Sequence, residues 1–387
     1  MNKSVLEKIF STFQQQFGLA GNSFFCPGRI NLMGDHIDYN GGWVLPAAIS
    51  LGTYAMAKPN NLNKFRIFSC NFPDEPIEFQ INEKELSTRL AGSWSAYVAG
   101  SILEVYHDTQ APLVGLDMVF MGDIPRGSGL SSSASLEVLV CYMVCHFNQI
   151  EINRTRLALW GQSAENGFVG MNCGIMDQFA VANGKENTAL QLDCQKLDCI
   201  EIPVQLDQYQ LVVINSCKPR KLVESKYNER RAESELALAG IQHKKNILNL
   251  ASAELNDLAL LENETIHKRA RHVITENQRV LKSASALREK NWIQFGELLT
   301  QSHLSLKADY EVSGKEMDTL VELAISMDFC LGARMMGGGF GGCALALIEP
   351  SKMNQFQEFI AKNYALATGY QAEFYLPQLS NGVQFIS

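Results

Sequence analysis

The chain has 387 residues, 46% hydrophobic and 19% charged, with a formal net charge of −8. That length exceeds what one core usually supports, so the composition is that of an ordinary soluble globular protein with two domains. The acidic balance argues against a broad nucleic-acid footprint, and the seven histidines form no H-E-x-x-H or Cys/His cluster for a structural metal.

Near the start, Val5, Leu6, Ile9, Phe10, Phe13 and Phe17 fall on one helical face, without the basic start and apolar centre of a secretory leader. No apolar run reaches the roughly 20 residues of a membrane span, so a cytoplasmic location is expected. Residues 23–26 read as a short strand entering P-G-R-I-N-L-M-G-D-H-I-D-Y-N-G-G, residues 27–42. There Arg29, Asp35, His36 and Asp38 stand among Ile30, Leu32, Met33 and Ile37. A surface turn accounts for one or two such charges; four among buried-type neighbours fit a binding loop, with carboxylates and an imidazole suited to sugar hydroxyls. Residues 43–81 carry strand spacing broken by Asn- and Pro-rich turns. A helix begins at Trp94, whose aromatic side chain reads as core.

Residues 122–138 read G-D-I-P-R-G-S-G-L-S-S-S-A-S-L-E-V. Gly127 and Gly129 permit φ > 0 and close ligand approach. Ser131, Ser132 and Ser133 supply N–H groups, hydroxyls and a helix N-cap, and a buried helix follows from Leu136. A glycine loop feeding a helix N-terminus is an anion site, here a phosphate cradle. It is not a Walker loop, because Gly184-Lys185 and Gly314-Lys315 are both followed by Glu. Cys141 and Cys145 lie one turn apart in that helix, and the ten cysteines, with no C-x-x-C pair, read as free thiols.

Residues 157–179 have helical spacing around Glu165, and Asp177 sits in C-G-I-M-D-Q-F near the start of a short helix. An aspartate flanked by bulky apolar residues needs a cationic partner, and Arg29 is the candidate. Strands are expected at 189–193 and 199–202, a domain boundary near 204–208, and a strand at 211–215. The charges Lys218, Arg220, Lys221, Glu224, Arg230 and Arg231 read as a solvated helix face. Helices follow at 266–286, 293–308 and 316–327. Residues 332–347 form a strand, a five-glycine loop and a strand, suited to close backbone approach.

P-x-G-x-G-L-S-S-S-A, at residues 125–134, resembles the nucleotide loop of the GHMP small-molecule kinases. Residues 27–42 resemble the galactokinase segment P-G-R-x-N-L-I-G-E-H-T-D-Y-N-x-G, and residues 164–179 resemble A-E-H-x-F-x-G-x-x-C-G-I-M-D-Q-F. The resemblance extends from Phe25 to the end. It implies an α+β two-domain GHMP kinase fold: a ribosomal-protein-S5-like N-terminal domain over 1–205, an α+β C-terminal domain over 206–387, and an active site in the cleft between them. It implies an ATP-dependent kinase acting on the C1 hydroxyl of galactose.

By that resemblance Asp177 is the catalytic carboxylate beside C1, and Arg29 is its partner. Asp35, His36, Ile37, Asp38, Gly174 and Tyr227 bind the sugar. Gly127, Ser128, Gly129, Leu130, Ser131, Ser132 and Ser133 hold ATP, with Ser133 and Glu165 on Mg²⁺. The implied partners are sugar and ATP, with neither nucleic acid nor membrane, in a monomer or weak homodimer. Trp94 matches a position near the adenine pocket.

Asp35 stands where the family has Glu, a carboxylate drawn back by about 1.5 Å. Ile37 replaces Thr, Asn166 replaces His, Lys226 replaces Glu, Arg220 stands where many members have His, and Ala333 and Met336 replace Ser and Thr. Asp35 and Ile37 leave an N-acetylgalactosamine or other hexose 1-kinase as the alternative, with a catalytically silent galactose sensor further off. The complete serine loop, Asp177, Glu165 and Arg29 favour an enzyme.

Overall fold

In the computed structural model, which describes residues 2–18, 21–81, 85–219 and 223–386, the apolar stripe of α1 (Lys3–Phe17) covers one face of a six-stranded sheet. Val5, Ile9 and Phe13 pack there against Phe25, Tyr54, Met56 and Val119. Successive strand residues point to opposite faces, so Phe24 and Cys26 of β1 (Asn22–Asn31) enter the main core on the other side. Arg29 is thus a strand residue, not a loop residue, because β1 runs five residues beyond the expected end. Arg220, Lys221 and the side chain of Glu224 lie outside the described residues.

The chain continues through β2 (Trp43–Val44), β3 (Pro46–Pro59), β4 (Phe65–Ser69) and β5 (Phe72–Phe79). Then come α2 (Leu86–Leu90), α3 (Trp94–Thr109), β6 (Leu116–Gly122) and α4 (Ser132–Asn148). α4 starts four residues before the apolar run and lies across β1 and β3. α5 (Arg154–Ser163) and α6 (Met176–Asn183) pack on α4, and α6 also packs on β1 and β3. β7 (Thr188–Asp193) and β8 (Cys199–Pro203) join β2 in a small antiparallel sheet.

The second half begins with β9 (Gln210–Asn215) and α7 (Val223–Gln242), then α8 (Glu264–Arg288), α9 (Trp292–Ser305) and α10 (Lys315–Ile325). β10 (Cys330–Met336) and β11 (Cys343–Ile348) flank the glycine loop, followed by α11 (Met353–Thr368) and β12 (Glu373–Tyr375). Strand order in this sheet is β10-β11-β9-β12. The last strand, β13 (Gln384–Phe385), returns to the first sheet, whose order is β13-β1-β3-β6-β4-β5.

One apolar core runs from Phe24 to Val383 through both halves. Cys141 and Cys145 are buried free thiols inside it. This continuity fixes β1, the α4 N-terminus, α6 and the β10–β11 loop around one cleft.

Candidate active site

The cleft holds about 210 Å³, and Arg29, Ser131, Glu165 and Asp177 are among its walls. Asp177 sits in the first turn of α6, and Arg29 reaches it from β1 through two parallel bonds, Nε to Oδ1 and Nη2 to Oδ2, each 2.8 Å. The third arm of the guanidinium donates to the Gly129 carbonyl at 2.7 Å, tying the carboxylate to the glycine loop. Ser131 precedes α4 in the left-handed region, with φ 62° and ψ 48°. Its hydroxyl donates to Asp177 Oδ2 at 2.5 Å and caps nothing in its own helix. The Asp177 side chain keeps 29% of its surface exposed, so it is presented to the cleft, not buried as expected.

Gly127 and Gly129 adopt φ of 69° and 75°, conformations open to glycine. Their loop delivers Ser132 and Ser133, the first residues of α4, to the cleft wall, where first-turn N–H groups lack helical partners. Ser128 and Leu130, expected at the phosphates, are each 1% exposed and do not line the cleft. In an alternating loop their side chains pack inward while the glycines and serines face out.

Glu165 occupies a wide turn (Ala164–Val169), closed by the Gly170 N–H donating to its carbonyl five residues back at 2.9 Å. Its carboxylate is hydrogen-bonded to the Ser133 hydroxyl, and Gln178 Nε2 donates to it at 2.6 Å. The same Gln178 nitrogen donates to Glu137 Oε2 at 3.0 Å. Burial, with the Asp177 charge adding to it, pushes Glu165 up to about 7, and burial raises Glu137 well above the usual range. A hydroxyl and a carboxylate at a nucleotide loop are hard oxygen donors that fit a cation such as Mg²⁺, whose charge would relieve this crowding.

Asp35, His36, Asp38, Gly174 and Tyr227 also stand on the cleft wall. His36 takes φ 63°, and its buried Nε2 makes no hydrogen bond of standard geometry among the described residues, with the Gly338 backbone close by. Burial, reinforced by His272, lowers it to about 3, so the ring is neutral near pH 7. Burial and the Asp177 charge raise Asp38 to about 6. A Cβ on Gly174 would lie 2.0 Å from Asp38 Oδ2, so only glycine lets this carboxylate stand there. Asp35 is 1% exposed; Asn31 donates to its Oδ1 at 2.7 Å, while the Gly337 N–H, at 3.0 Å, and Arg334 converge on Oδ2.

A second cavity of about 250 Å³ meets the first at Ser132 and Ser133. Phe72, Trp94, Phe120, Ile124 and Leu136 give it apolar walls. Trp94, expected in the core, stacks on Phe72 at 7° and lines this cavity.

The galactose-binding signature of galactokinases matches residues 11–59, the N-terminal domain of GHMP kinases residues 96–185, and their C-terminal domain residues 283–366. The galactokinase of Exiguobacterium sibiricum is 42% identical over 387 aligned residues, 99% of this chain and 98% of the relative. That of Ligilactobacillus salivarius is 42% identical over all of both chains. The chain belongs to the galactokinase family. The crystal structure of Lactococcus lactis galactokinase complexed with galactose superposes with a TM-score of 0.94 at 40% identity, over 99% of this chain and 100% of that one. A mevalonate kinase from Methanococcus jannaschii, at TM-score 0.68 and 18% identity over 93% and 98%, shares the fold.

Within this galactokinase-family chain, Ile37 stands apart from the other expected sugar residues. It is fully buried, packs against Gly42 and is absent from the cleft wall. Asn166 clamps the following loop, accepting from the Cys173 N–H at 2.9 Å and donating to its carbonyl at 3.3 Å. Met336 is buried, and its sulfur accepts from the Asn31 N–H at 3.1 Å. Arg230 corrects the solvated-face reading: it is 8% exposed, and its Nε donates to the Tyr310 carbonyl at 2.8 Å. Arg231 stays half-buried on α7, paired with Glu235 at 3.0 Å and donating to the Asn172 carbonyl at 2.9 Å. Lys218 is half-buried and paired with Glu316 at 2.7 Å.

Sequence reasoning missed Glu137, Gln178, Arg334, Tyr39 and Tyr310. Glu137 was legible as a charge inside an apolar helix run, and Tyr39 and Gln178 stand inside the quoted D-Y-N and M-D-Q-F motifs, whose matches did not give them a role.

Proposed function

We propose that this galactokinase-family enzyme transfers the γ-phosphoryl group of ATP to the C1 hydroxyl of galactose, giving galactose 1-phosphate and ADP. The observation that carries the reading is the Asp177 carboxylate, held bidentately by Arg29 and by Ser131 between the glycine loop and the wall of His36, Asp38 and Tyr227. Phosphoryl transfer relies on positioning and charge stabilisation, and this arrangement supplies both.

In this reading Asp177 orients the C1 hydroxyl and accepts its proton, and Arg29 fixes the carboxylate plane and offsets developing charge. The glycine loop and the first turn of α4 hold the phosphates through N–H groups. The apolar cavity of Trp94 and Phe72 takes the adenine ring. Ser133 and Glu165 hold Mg²⁺, which when bound would neutralise phosphate oxygens. Asp38, His36 and Tyr227 meet the sugar hydroxyls, while Gly174 keeps Asp38 in reach. The division near residues 205 and 206 separates the nucleotide-loop half from the half that brings the glycine strand pair, and a cytoplasmic location accompanies it.

ADP release with Mg-ATP across galactose, N-acetylgalactosamine, 2-deoxygalactose, glucose and arabinose tests the assignment. Saturable turnover with the highest kcat/KM for galactose is expected. A better kcat/KM for another sugar overturns the substrate, and binding without turnover overturns the enzyme.

A further inference from the structure

Behind His36 runs a line of hydroxyls that no part of the reaction uses. His36 Nδ1 lies 2.8 Å from the Tyr39 hydroxyl, Tyr39 lies 2.9 Å from the Tyr310 hydroxyl, and Tyr310 lies 2.6 Å from Ser234 Oγ. The line ends on α7, where Ser234 Oγ lies 3.0 Å from the Arg230 carbonyl. Ser234 and Tyr310 are fully buried, and Arg230 steadies Tyr310 by donating to its main-chain oxygen.

A carbonyl only accepts, and each hydroxyl has one hydrogen. With Ser234 donating to Arg230, Tyr310 donates to Ser234 and accepts from Tyr39 and from the Asn40 amide, whose Nδ2 also donates to the His36 carbonyl. His36 Nδ1–H must then donate to Tyr39, and all four contacts are hydrogen bonds. The reverse polarity leaves the Ser234–Arg230 contact without a hydrogen, a loss inside a buried helix face. The Gly338 backbone is also hydrogen-bonded to His36, an interaction that opposes this polarity, although among the described residues Nε2 itself makes no hydrogen bond of standard geometry.

We infer that Ser234, Tyr310 and Tyr39 are positioning residues that hold His36 as the Nδ1–H tautomer, leaving Nε2 a bare acceptor in the cleft that selects a ligand hydroxyl as hydrogen-bond donor. A histidine's partner on one ring nitrogen decides what the other can do. The assignment deepens the sugar-kinase reading and rests on it only for the ligand's identity. The tautomer itself is a property of the free protein.

Protein labelled with ¹⁵N-histidine, its His36 signals assigned by loss in His36→Gln, reports the tautomer directly in long-range ¹H–¹⁵N spectra at pH 7. Protonated Nδ1 and bare Nε2 are expected in the wild type; a protonated Nε2 overturns the inference even where galactose turnover is intact. Ser234→Ala and Tyr310→Phe remove the anchor, so the preference moves toward Nε2–H in whichever variant folds, and an unchanged spectrum in a folded variant overturns it.

Singly fluorinated galactoses, which accept at the substituted position but cannot donate, test the selection by calorimetry. One position is expected to lose about tenfold or more in the wild type and to regain most of that in Tyr310→Phe. Equal loss in both proteins overturns the selection, and failure of galactose itself to bind overturns the sugar reading while leaving the tautomer result standing.

Discussion

Two aspartates meet two arginines across this cleft, and their surroundings differ. Asp177 keeps 29% of its side chain exposed beside an Arg29 that is 5% exposed, whereas Asp35 and Arg334 are 1% and 0% exposed. The Asp177 carboxylate is held by side chains with one flank free for a reactant. Both Asp35 oxygens already accept from protein: Asn31 on one, the Gly337 N–H and Arg334 on the other. The first pair is built to present a charge, the second to join the sugar segment to the β10 strand and its glycine loop. The half-open pair offers its carboxylate to the cleft; the closed one, although Asp35 also lines the wall, has both oxygens occupied by protein donors.

The largest effect should come from the open pair. Asp177→Asn is expected to lower kcat by about 10³-fold or more while leaving the unfolding midpoint within a few degrees of the wild type. Turnover near the wild-type rate in this variant would remove Asp177 from the chemistry. The closed pair should invert that pattern. Arg334→Met strands a buried carboxylate and is expected to cost about 3–5 kcal/mol in denaturant unfolding. Arg29→Met, with Asp177 still reached by water and Ser131, should cost far less stability and far more kcat. Equal stability losses in the two arginine variants would erase the distinction.

This contrast also marks what could be read from sequence. Asp177, Glu165 and the glycine–serine loop lie in short motifs whose chemistry is local: spaced glycines, serines before a helix, a carboxylate among apolar residues. The Arg29–Asp177 pair spans 148 residues and was still legible, because a crowded acid needs a cation and β1 offered one. The Asp35–Arg334 pair spans 299 residues and gave no such signal, since Arg334 sits in a strand that reads as apolar. Charge patterning failed along α7 for a related reason. A run of Lys, Glu and Arg looks solvated from sequence alone, and only the tertiary partner Tyr310 reveals that Arg230 is buried. Strands and long helices were legible from period, with ends off by a few residues where packing extended β1 and α4.

The contact between Gly174 and Asp38 sharpens the comparison on the sugar side. Gly174→Ala puts a methyl group against Asp38 Oδ2, which must move or rotate. A displacement on the order of 1 Å in such a site costs about 10²-fold, expected here in kcat/KM for the sugar with little change in KM for ATP. A variant with unchanged sugar kinetics would show that the Asp38 position is not read by the substrate.

Asp38 gives the smallest effect and the one with a definite sign. Burial, then the Asp177 charge, raises its folded pKa from 3.8 to about 6. For an acid raised on folding, the contribution to stability is full below about pH 4 and is lost as pH rises toward 6, because the folded state holds the proton longer. Asp38→Asn removes that loss. Its stability relative to the wild type should therefore grow between pH 4.5 and pH 7, by about 1 kcal/mol once water in the cleft screens the carboxylate. If Asp38 meets the sugar as proposed, hydroxyls donating to it stabilise its ionised form, so saturating galactose should shrink the wild-type slope and leave that of Asp38→Asn unchanged. Parallel stability curves for the two proteins across this range would mean that Asp38 carries no such strain, and that its place beside Asp177 is relieved by groups other than the sugar.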